Sequence, residues 1–534
     1  MNDRQRASVP REVDTVVIGG GTAGAVVAGL LAERSDERVL VLEAGPDYGP
    51  FGDSRWPEDL LDARALGYTH DWNYASGDTY PNRVVNFQRA RVIGGCSSHN
   101  GCAAIWGSRV DYDGWADMGL AGWSSAELLP FFNRAAERLR VRRYAQHEVT
   151  PFQQACLDAA QGAGIPLTDD LNDFDQDEGM AASPVNILDG TRWNAAFAYL
   201  DPVRQRANLV IADRSTADRL EIENGGATSI RYIGPDGPVD VSARRFVVAG
   251  GTYGSPAILQ RSGIGDPAEL REIGIQPAIP LQGVGRNLHD HPSVRTIFSG
   301  SSRLEAAMTA FAEQQWMPEE QTIAKIRSGL YPQSAGGFDL HLYPVGGPDS
   351  ESDPGWHWSF PVACMTPKSR GAVTLRSPDP EREPRIEHHY LSDPEGHDRA
   401  VLREGLRNAR LLAAQPQLRD LLGEELAPRA SIEDDAAMEG WIDGAIEHYY
   451  HPVGTCAMGT VDDPLAVTDA KGRVHGLENV FVADCSIMPV IPRANTNLPA
   501  IVVGERIAGW LLEGERGVAS GPTISVRSLG KSDG

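Results

Sequence analysis

The chain begins its order with an apolar run, Val13-Asp14-Thr15-Val16-Val17-Ile18, whose β-branched residues predict a buried parallel strand. Glycines follow at once, Gly19-Gly20-Gly21-Thr22-Ala23-Gly24. The next stretch, AVVAGLLAERS, is rich in small and aliphatic residues and predicts a helix. VLVLEAG, with Glu43 at its end, predicts a second buried strand. Strand, glycine turn, helix and strand together make one βαβ unit. The middle of the chain has a different texture. Residues 161–200 hold few long apolar runs and many turn signals. Residues 338–344, 356–362 and 371–376 alternate in part, as half-exposed antiparallel strands do. Helical periodicity returns at 399–415, an apolar strand at 480–484 and a helix at 497–512.

These patterns predict an α/β fold class. A Rossmann-like nucleotide-binding domain is assembled from separated stretches and interrupted by an α+β substrate domain built on an antiparallel sheet. The expected division gives 11–160, 204–297 and 445–516 to the nucleotide domain. It gives 161–203 and 298–444 to the substrate domain, and leaves 517–534 as a flexible tail. At 534 residues, two domains are the expected minimum.

Composition narrows the functional classes. With 73 acidic against 49 basic residues the formal net charge is -24, which argues against a nucleic-acid partner. The excess suits solubility and is compatible with a cationic substrate. The six cysteines, Cys96, Cys102, Cys156, Cys364, Cys456 and Cys485, form no metal-type CxxC pair, so no metal is expected. Their low density fits a reducing compartment. The N-terminal residues carry no apolar leader, and no stretch approaches the length of a membrane span. A cytoplasmic protein without a membrane partner is the expectation.

The glycines at 19, 21 and 24 have mechanical meanings. Gly19 makes the tight turn, Gly21 lets a pyrophosphate touch the backbone, and Gly24 lets helix and strand pack closely. Glu43 stands where a carboxylate accepts from ribose hydroxyls, which favours FAD or NAD over NADP. The stretch Ala90–Cys102, A-R-V-I-G-G-C-S-S-H-N-G-C, adds adjacent glycines followed by a histidine and an asparagine, a composition suited to a cofactor contact loop. Near the C-terminus, Tyr449-Tyr450-His451-Pro452 offers a candidate base. A neutral imidazole takes up a proton near neutral pH, as a general base must.

Arg91-x-Ile93-Gly94-Gly95-Cys96-Ser97-x-x-Asn100 resembles the first signature of the glucose-methanol-choline (GMC) oxidoreductases. The run from Gly251-Thr252 through Ser255-Pro256 to Gly263-Ile264-Gly265 resembles their second signature. GVGRNLHDHP at 283–292 and HPVGT at 451–455 extend the likeness over nearly the whole chain. The resemblance implies FAD as cofactor. It implies cofactor contacts from Gly19, Gly21, Thr22, Ala23, Gly24 and Glu43. It implies more from Arg91, Gly94, Gly95, Ser98, His99, Asn100, Gly101 and Cys102, and from Ala249, Asp484, Asn495 and Thr496. The pentad C-S-S-H-N is most similar to that of choline-oxidising members, which implies covalent attachment of FAD through His99. It also implies that His451 is the base and that Asn495 holds the substrate oxygen. Asp484 would meet the ribityl and pyrophosphate region, cap a helix, or do both. His289 and His291, flanking Asp290, read as structural, as do His388 and His389.

Departures from the family pattern cluster at expected substrate contacts. Choline-oxidising members carry a carboxylate and aromatic rings in a segment that here reads AAMTAFAEQQWMPEEQ, with Glu313 and Trp316 out of order. Tyr343 takes the place of a substrate-contacting histidine, with His341 two residues before it. Gly101 and Tyr449 also differ. The expected pocket is therefore Tyr343, Tyr449, Tyr450, Trp316 and His341. The expected reaction is oxidation of a primary alcohol to an aldehyde and on to the acid, with O2 accepting electrons to give H2O2. Choline as substrate, a quinone or protein as electron acceptor, and a hydroxynitrile lyase on the same fold remain alternatives. A homodimer is the expected assembly.

Overall fold

Val16, Val17 and Ile18 are sealed from solvent because the strand Glu12–Ile18 lies inside a seven-stranded sheet. The computed structural model describes residues 9–76, 85–332, 334–348 and 355–519. Glu12–Ile18 runs parallel to Val39–Leu42 on one side and to Gly237–Val248 on the other. Leu209–Ala212 adds to the outer edge of Val39–Leu42, and Val480–Val482 lies beyond Gly237–Val248, both parallel. Thr216–Glu223 and Gly226–Gly234 complete the sheet as an antiparallel hairpin. Parallel strands covered on both faces carry continuous apolar side chains, which is the pattern of VLVL at 39–42.

The helix Thr22–Arg34 follows the glycine turn and packs against the final helix Asn497–Ala519. Small residues permit the close approach. A Cβ placed on Gly504 would lie 2.9 Å from the Ala23 carbonyl oxygen. The final helix includes the first three residues of the expected tail, and 520–534 lie outside the described residues. No described helix is long and apolar enough to cross a membrane.

The second sheet has eight strands, all paired antiparallel. Its path runs Leu422–Ala427, Pro292–Gly300, Trp356–Cys364, Leu340–Leu342, Thr322–Ile326 and Gly179–Ala182. Helix His397–Ala413 packs on it through Val401, Leu402, Leu406, Ala409 and Leu412, an apolar stripe at helical spacing. The strand expected at 371–376 is shorter, Ala372–Thr374, and joins Arg385–Glu387 in a separate hairpin.

One pairing sets the site. Pro292, at the start of its strand, lies opposite His448 of the short strand Glu447–His448. The residues just before the first strand and just after the second are thereby brought together.

Candidate active site

A cavity of about 1040 Å³ runs between the two sheets. One end is walled by Gly19, Gly21, Thr22, Ala23, Glu43 and Ala249. Gly19 has φ +108°, a conformation other residues avoid, and a Cβ on Gly24 would sit 1.9 Å from the Gly19 carbonyl oxygen. Gly24 therefore does not line the cavity; it lets the helix start against the turn. Gly21 is different. Its φ of -71° is ordinary, and a Cβ there would meet only Gly95 Cα at 3.7 Å. What Gly21 keeps clear is cavity space. No side chain caps the helix beginning at Thr22, so its first N–H groups remain available to an anion. Glu43 accepts from the backbone N–H of Gly20 at 2.9 Å and of Gly45 at 2.7 Å, and burial raises its carboxyl above the usual range. Asp484 accepts from Gly251 N–H at 2.8 Å and Ser486 N–H at 2.8 Å, so it caps a short helical turn and lines the cavity as well.

The double-glycine loop lies directly against the first turn, Gly95 over Gly21. Arg91, Gly95, His99, Asn100, Gly101 and Cys102 line the cavity. Gly94 and Ser98 do not: Ser98 is buried and donates its hydroxyl to the Ile93 carbonyl at 3.1 Å, which ties the loop to itself. Arg91 lays its guanidinium over Trp72, 4.5 Å from the ring centroid, and donates to Thr216 Oγ1 at 3.3 Å. His99 is buried, which holds its pKa below the usual value, and its Nε2 meets the Thr69 carbonyl. Its Nδ1 is the nitrogen left for other contacts.

At the far end stands His451. Its backbone N–H donates to Asp290 Oδ1 at 2.9 Å. Its Nδ1 lies 3.1 Å from His291 Nδ1, and its Nε2 lies 3.4 Å from Asn495 Nδ2. Burial first, with His291 and the Arg89 guanidinium opposing a charge on the ring, pushes its pKa well below the ordinary histidine value, so the ring is neutral at neutral pH. Asn495 Oδ1 is buried without a hydrogen-bond partner among the described residues, an acceptor left over beside the His451 ring. Tyr450, just before His451, has φ +66°, and its carbonyl accepts from Arg89 at 3.0 Å. A residue forced into that region marks a segment held in place by its surroundings. Thr252, from the second signature, donates its hydroxyl to the Pro452 carbonyl at 2.6 Å. Thr496 also lines the cavity.

Tyr343 and Tyr449 stack with ring centroids 4.4 Å apart, and both line the cavity with Tyr450. Two expected pocket residues do not. Trp316 packs against Gly190, where its indole nitrogen would be 3.1 Å from an added Cβ, and bonds Asp62. His341 is fully buried behind Tyr449 and stacks on Phe338 at 5.3 Å. Glu313 is exposed, whereas Glu319 and Glu320 line the cavity. Burial pushes the Glu320 carboxyl up to about 8, and among the described residues the charged neighbour acting on it is Glu319, of like sign. The reading of His291 as merely structural is also corrected, since it touches His451 directly. His289 is structural as expected: it accepts from Ile491 N–H at 3.0 Å and faces the Asn287 carbonyl at 2.6 Å. His388 is likewise held by Tyr253 at 2.7 Å.

The cavity joins an uncapped helix start at a glycine turn, a buried carboxylate and a neutral histidine, a lining that suits a flavin dinucleotide. Comparisons with known proteins agree. Residues 13–293 and 367–504 match family models described as GMC oxidoreductase. An oxygen-dependent choline dehydrogenase of Rhizobium etli is 33% identical, with 94% of this chain and 96% of that protein covered. One from Paraburkholderia phymatum is 34% identical, covering 93% and 92%. Among solved structures, pyridoxine 4-oxidase from Mesorbium loti superposes with a TM-score of 0.83 at 29% identity, covering 93% of this chain and 98% of that one. A formate oxidase superposes with a TM-score of 0.82, covering 96% and 100%; at 23% identity it supports the fold alone.

Proposed function

Because the chain belongs to the GMC oxidoreductase family, and so is an FAD-dependent alcohol oxidoreductase, we propose that it oxidises a primary alcohol with His451 as the base and O2 as the electron acceptor. The observation that carries this reading is the neutral His451 Nε2, 3.4 Å from the Asn495 amide in the cavity wall. Residues 11–160, 204–297 and 445–516 form the FAD domain in this reading, and 161–203 with 298–444 the substrate domain.

The alcohol oxygen sits between His451 and Asn495. His451 Nε2 takes the hydroxyl proton as the carbon–hydrogen bond breaks. Asn495 holds the oxygen without competing for that proton. Bound FAD supplies the acceptor for the hydride, and with O2 the two electrons leave as H2O2. Tyr343 and Tyr449 keep bulk water from the reacting carbon. FAD would be held by the glycine turn, Glu43, Arg91, the 95–102 loop, Ala249, Asp484, Asn495 and Thr496. Gly24, Gly94 and Ser98 support those walls from behind. Covalent attachment through His99 is part of the proposal; with Nε2 against the Thr69 carbonyl, it runs through Nδ1 or needs the ring turned. Yellow colour left wholly in the supernatant after acid precipitation refutes it.

A second reading narrows the substrate to a cationic alcohol such as choline. Glu320 favours it, as a cavity carboxyl with tyrosines around it and, among the described residues, no cation shifting its pKa. The names of the relatives point the same way. A quinone or protein acceptor, and a hydroxynitrile lyase that keeps FAD without turnover, are the competing outcomes. Anaerobic mixing with a panel of alcohols separates them. Bleaching of the flavin excludes the lyase, and stoichiometric peroxide on re-aeration separates oxidase from dehydrogenase. A cytoplasmic setting and a homodimer complete the reading; all six cysteines are unpaired, and sedimentation tests the dimer.

A further inference from the structure

We propose that His291 is a positioning residue that fixes the tautomer of His451, so that the ring presents a proton-free Nε2 to the alcohol. A neutral imidazole has one N–H, and a base is useful only if that hydrogen is on the other nitrogen. At this site the hydrogen-bond directions decide where it goes. Asn495 Nδ2 is a donor, and it lies 3.4 Å from His451 Nε2, so Nε2 must accept. His451 Nδ1 then carries the hydrogen and donates across 3.1 Å to His291 Nδ1. His291 must in turn hold its own hydrogen on Nε2, a nitrogen buried with no hydrogen-bond partner among the described residues, while the Pro492 backbone acts to raise the pKa of the ring. The direction runs from Asn495 through His451 to His291.

For this, His291 has to remain neutral, because an imidazolium cannot accept. Its surroundings enforce that. The ring is fully buried and its pKa is driven to about 3, by burial first and then by the Arg493 guanidinium. The groups that face it come from four places: Tyr449 and His451 from the segment after Glu447–His448, His341 from the second sheet, Arg493 from the stretch before the last helix, and Asp290 beside it. Asp290 is committed elsewhere. It accepts the backbone N–H of both His291 and His451 and the Tyr390 hydroxyl at 2.9 Å, so it fixes the two backbones rather than either ring. When His451 takes the substrate proton, the charge it gains is shared with the same acceptor, since a hydrogen bond from an imidazolium is stronger than one from a neutral ring.

This inference rests on His451 being the base, and the experiment keeps the two apart. His291→Leu keeps bulk and removes the acceptor. His291→Asn places an amide oxygen where Nδ1 stood. In FAD-loaded protein, the rate constant for anaerobic flavin reduction by alcohol should fall about ten- to a hundredfold in His291→Leu, the scale on which orienting partners of functional histidines act. Substrate affinity and the visible flavin spectrum should stay unchanged, and His291→Asn should recover most of the rate. Nitrogen-15 NMR of histidine-labelled wild type should show an unprotonated Nε2 on His451, assigned by its loss in His451→Gln, with the hydrogen redistributed in His291→Leu. A protonated Nε2 in the wild type overturns the proposal even if His291→Leu does not fold. A His291→Leu enzyme as fast as wild type overturns it too, and an Asn variant as slow as Leu reduces His291 to packing. A fully active His451→Gln enzyme instead removes the base itself.

Discussion

Glu320 gives the substrate question a quantitative form. Its carboxyl is pushed up to about 8 by burial and then by Glu319, the charged neighbour among the described residues. The folded value is raised, so the group is protonated below that pH and becomes a carboxylate above it. A permanently cationic alcohol such as choline binds the ionised form, so its apparent KM should fall as pH rises and level off above about 8. If only the carboxylate binds, the penalty scales inversely with the fraction ionised, about tenfold in KM at pH 7 and about a hundredfold at pH 6. His451 is neutral over this range, since its pKa lies well below the ordinary value, so kcat should not follow the same curve. The assay is steady-state flavin turnover with choline and with an uncharged alcohol of similar size, from pH 6 to 9 in wild type and Glu320→Gln, ranges chosen to bracket about 8. Glu320→Gln should flatten the choline curve at its weak-binding end and leave the neutral alcohol alone. A flat choline KM in the wild type, or the same slope for both alcohols, refutes the assignment of Glu320 to a cationic group.

Asn495→Ala should lower the rate of flavin reduction by about 10²–10³, the scale for one preorganised donor to a reacting oxygen, read by stopped-flow per flavin-loaded site. Gly21→Ala and Gly24→Ala should fail in different ways. An added Cβ at Gly21 meets only Gly95 Cα at 3.7 Å, so the protein should fold with a near-normal Tm but lose its flavin absorbance. At Gly24 the Cβ would lie 1.9 Å from the Gly19 carbonyl, so the fold itself should lose about 1–3 kcal/mol or more in denaturant titration. Trp316→Phe should leave KM unchanged for every substrate, because the indole packs on Gly190 outside the cavity, whereas Tyr343→Ala should raise it.

The glycine turn, its flanking strands and His451 were legible because each is written in adjacent residues. VDTVVI, the glycines and VLVLEAG encode a local unit whose geometry follows from steric rules, and the strand appears at Glu12–Ile18. The helices at 397–413 and 497–519 carry their own periodicity. The substrate end was not legible, because its walls are set by pairings far apart in sequence. Glu313 and Glu320 have the same chemistry, and only the fold leaves one exposed and the other in the cavity. Trp316 had the right residue type but packs beneath the Gly190 turn. His341 precedes Tyr343 by two residues yet is screened from the cavity by Tyr449. His291 was read as structural because nothing near it in sequence calls for a partner. Its partner arrives through the pairing of Pro292 with His448, which joins segments 156 residues apart.

The account turns on a bound flavin being reduced by an alcohol whose proton goes to His451. The direct measurement is the visible absorbance of the oxidised flavin after anaerobic mixing with primary alcohols, choline among them, in wild type and His451→Gln together. The account predicts bleaching in the wild type, slowed by about 10²–10⁴ in the variant, the usual scale for losing a general base, with equal flavin content in both. Wild-type flavin that no alcohol bleaches, or a variant that bleaches as fast, contradicts it.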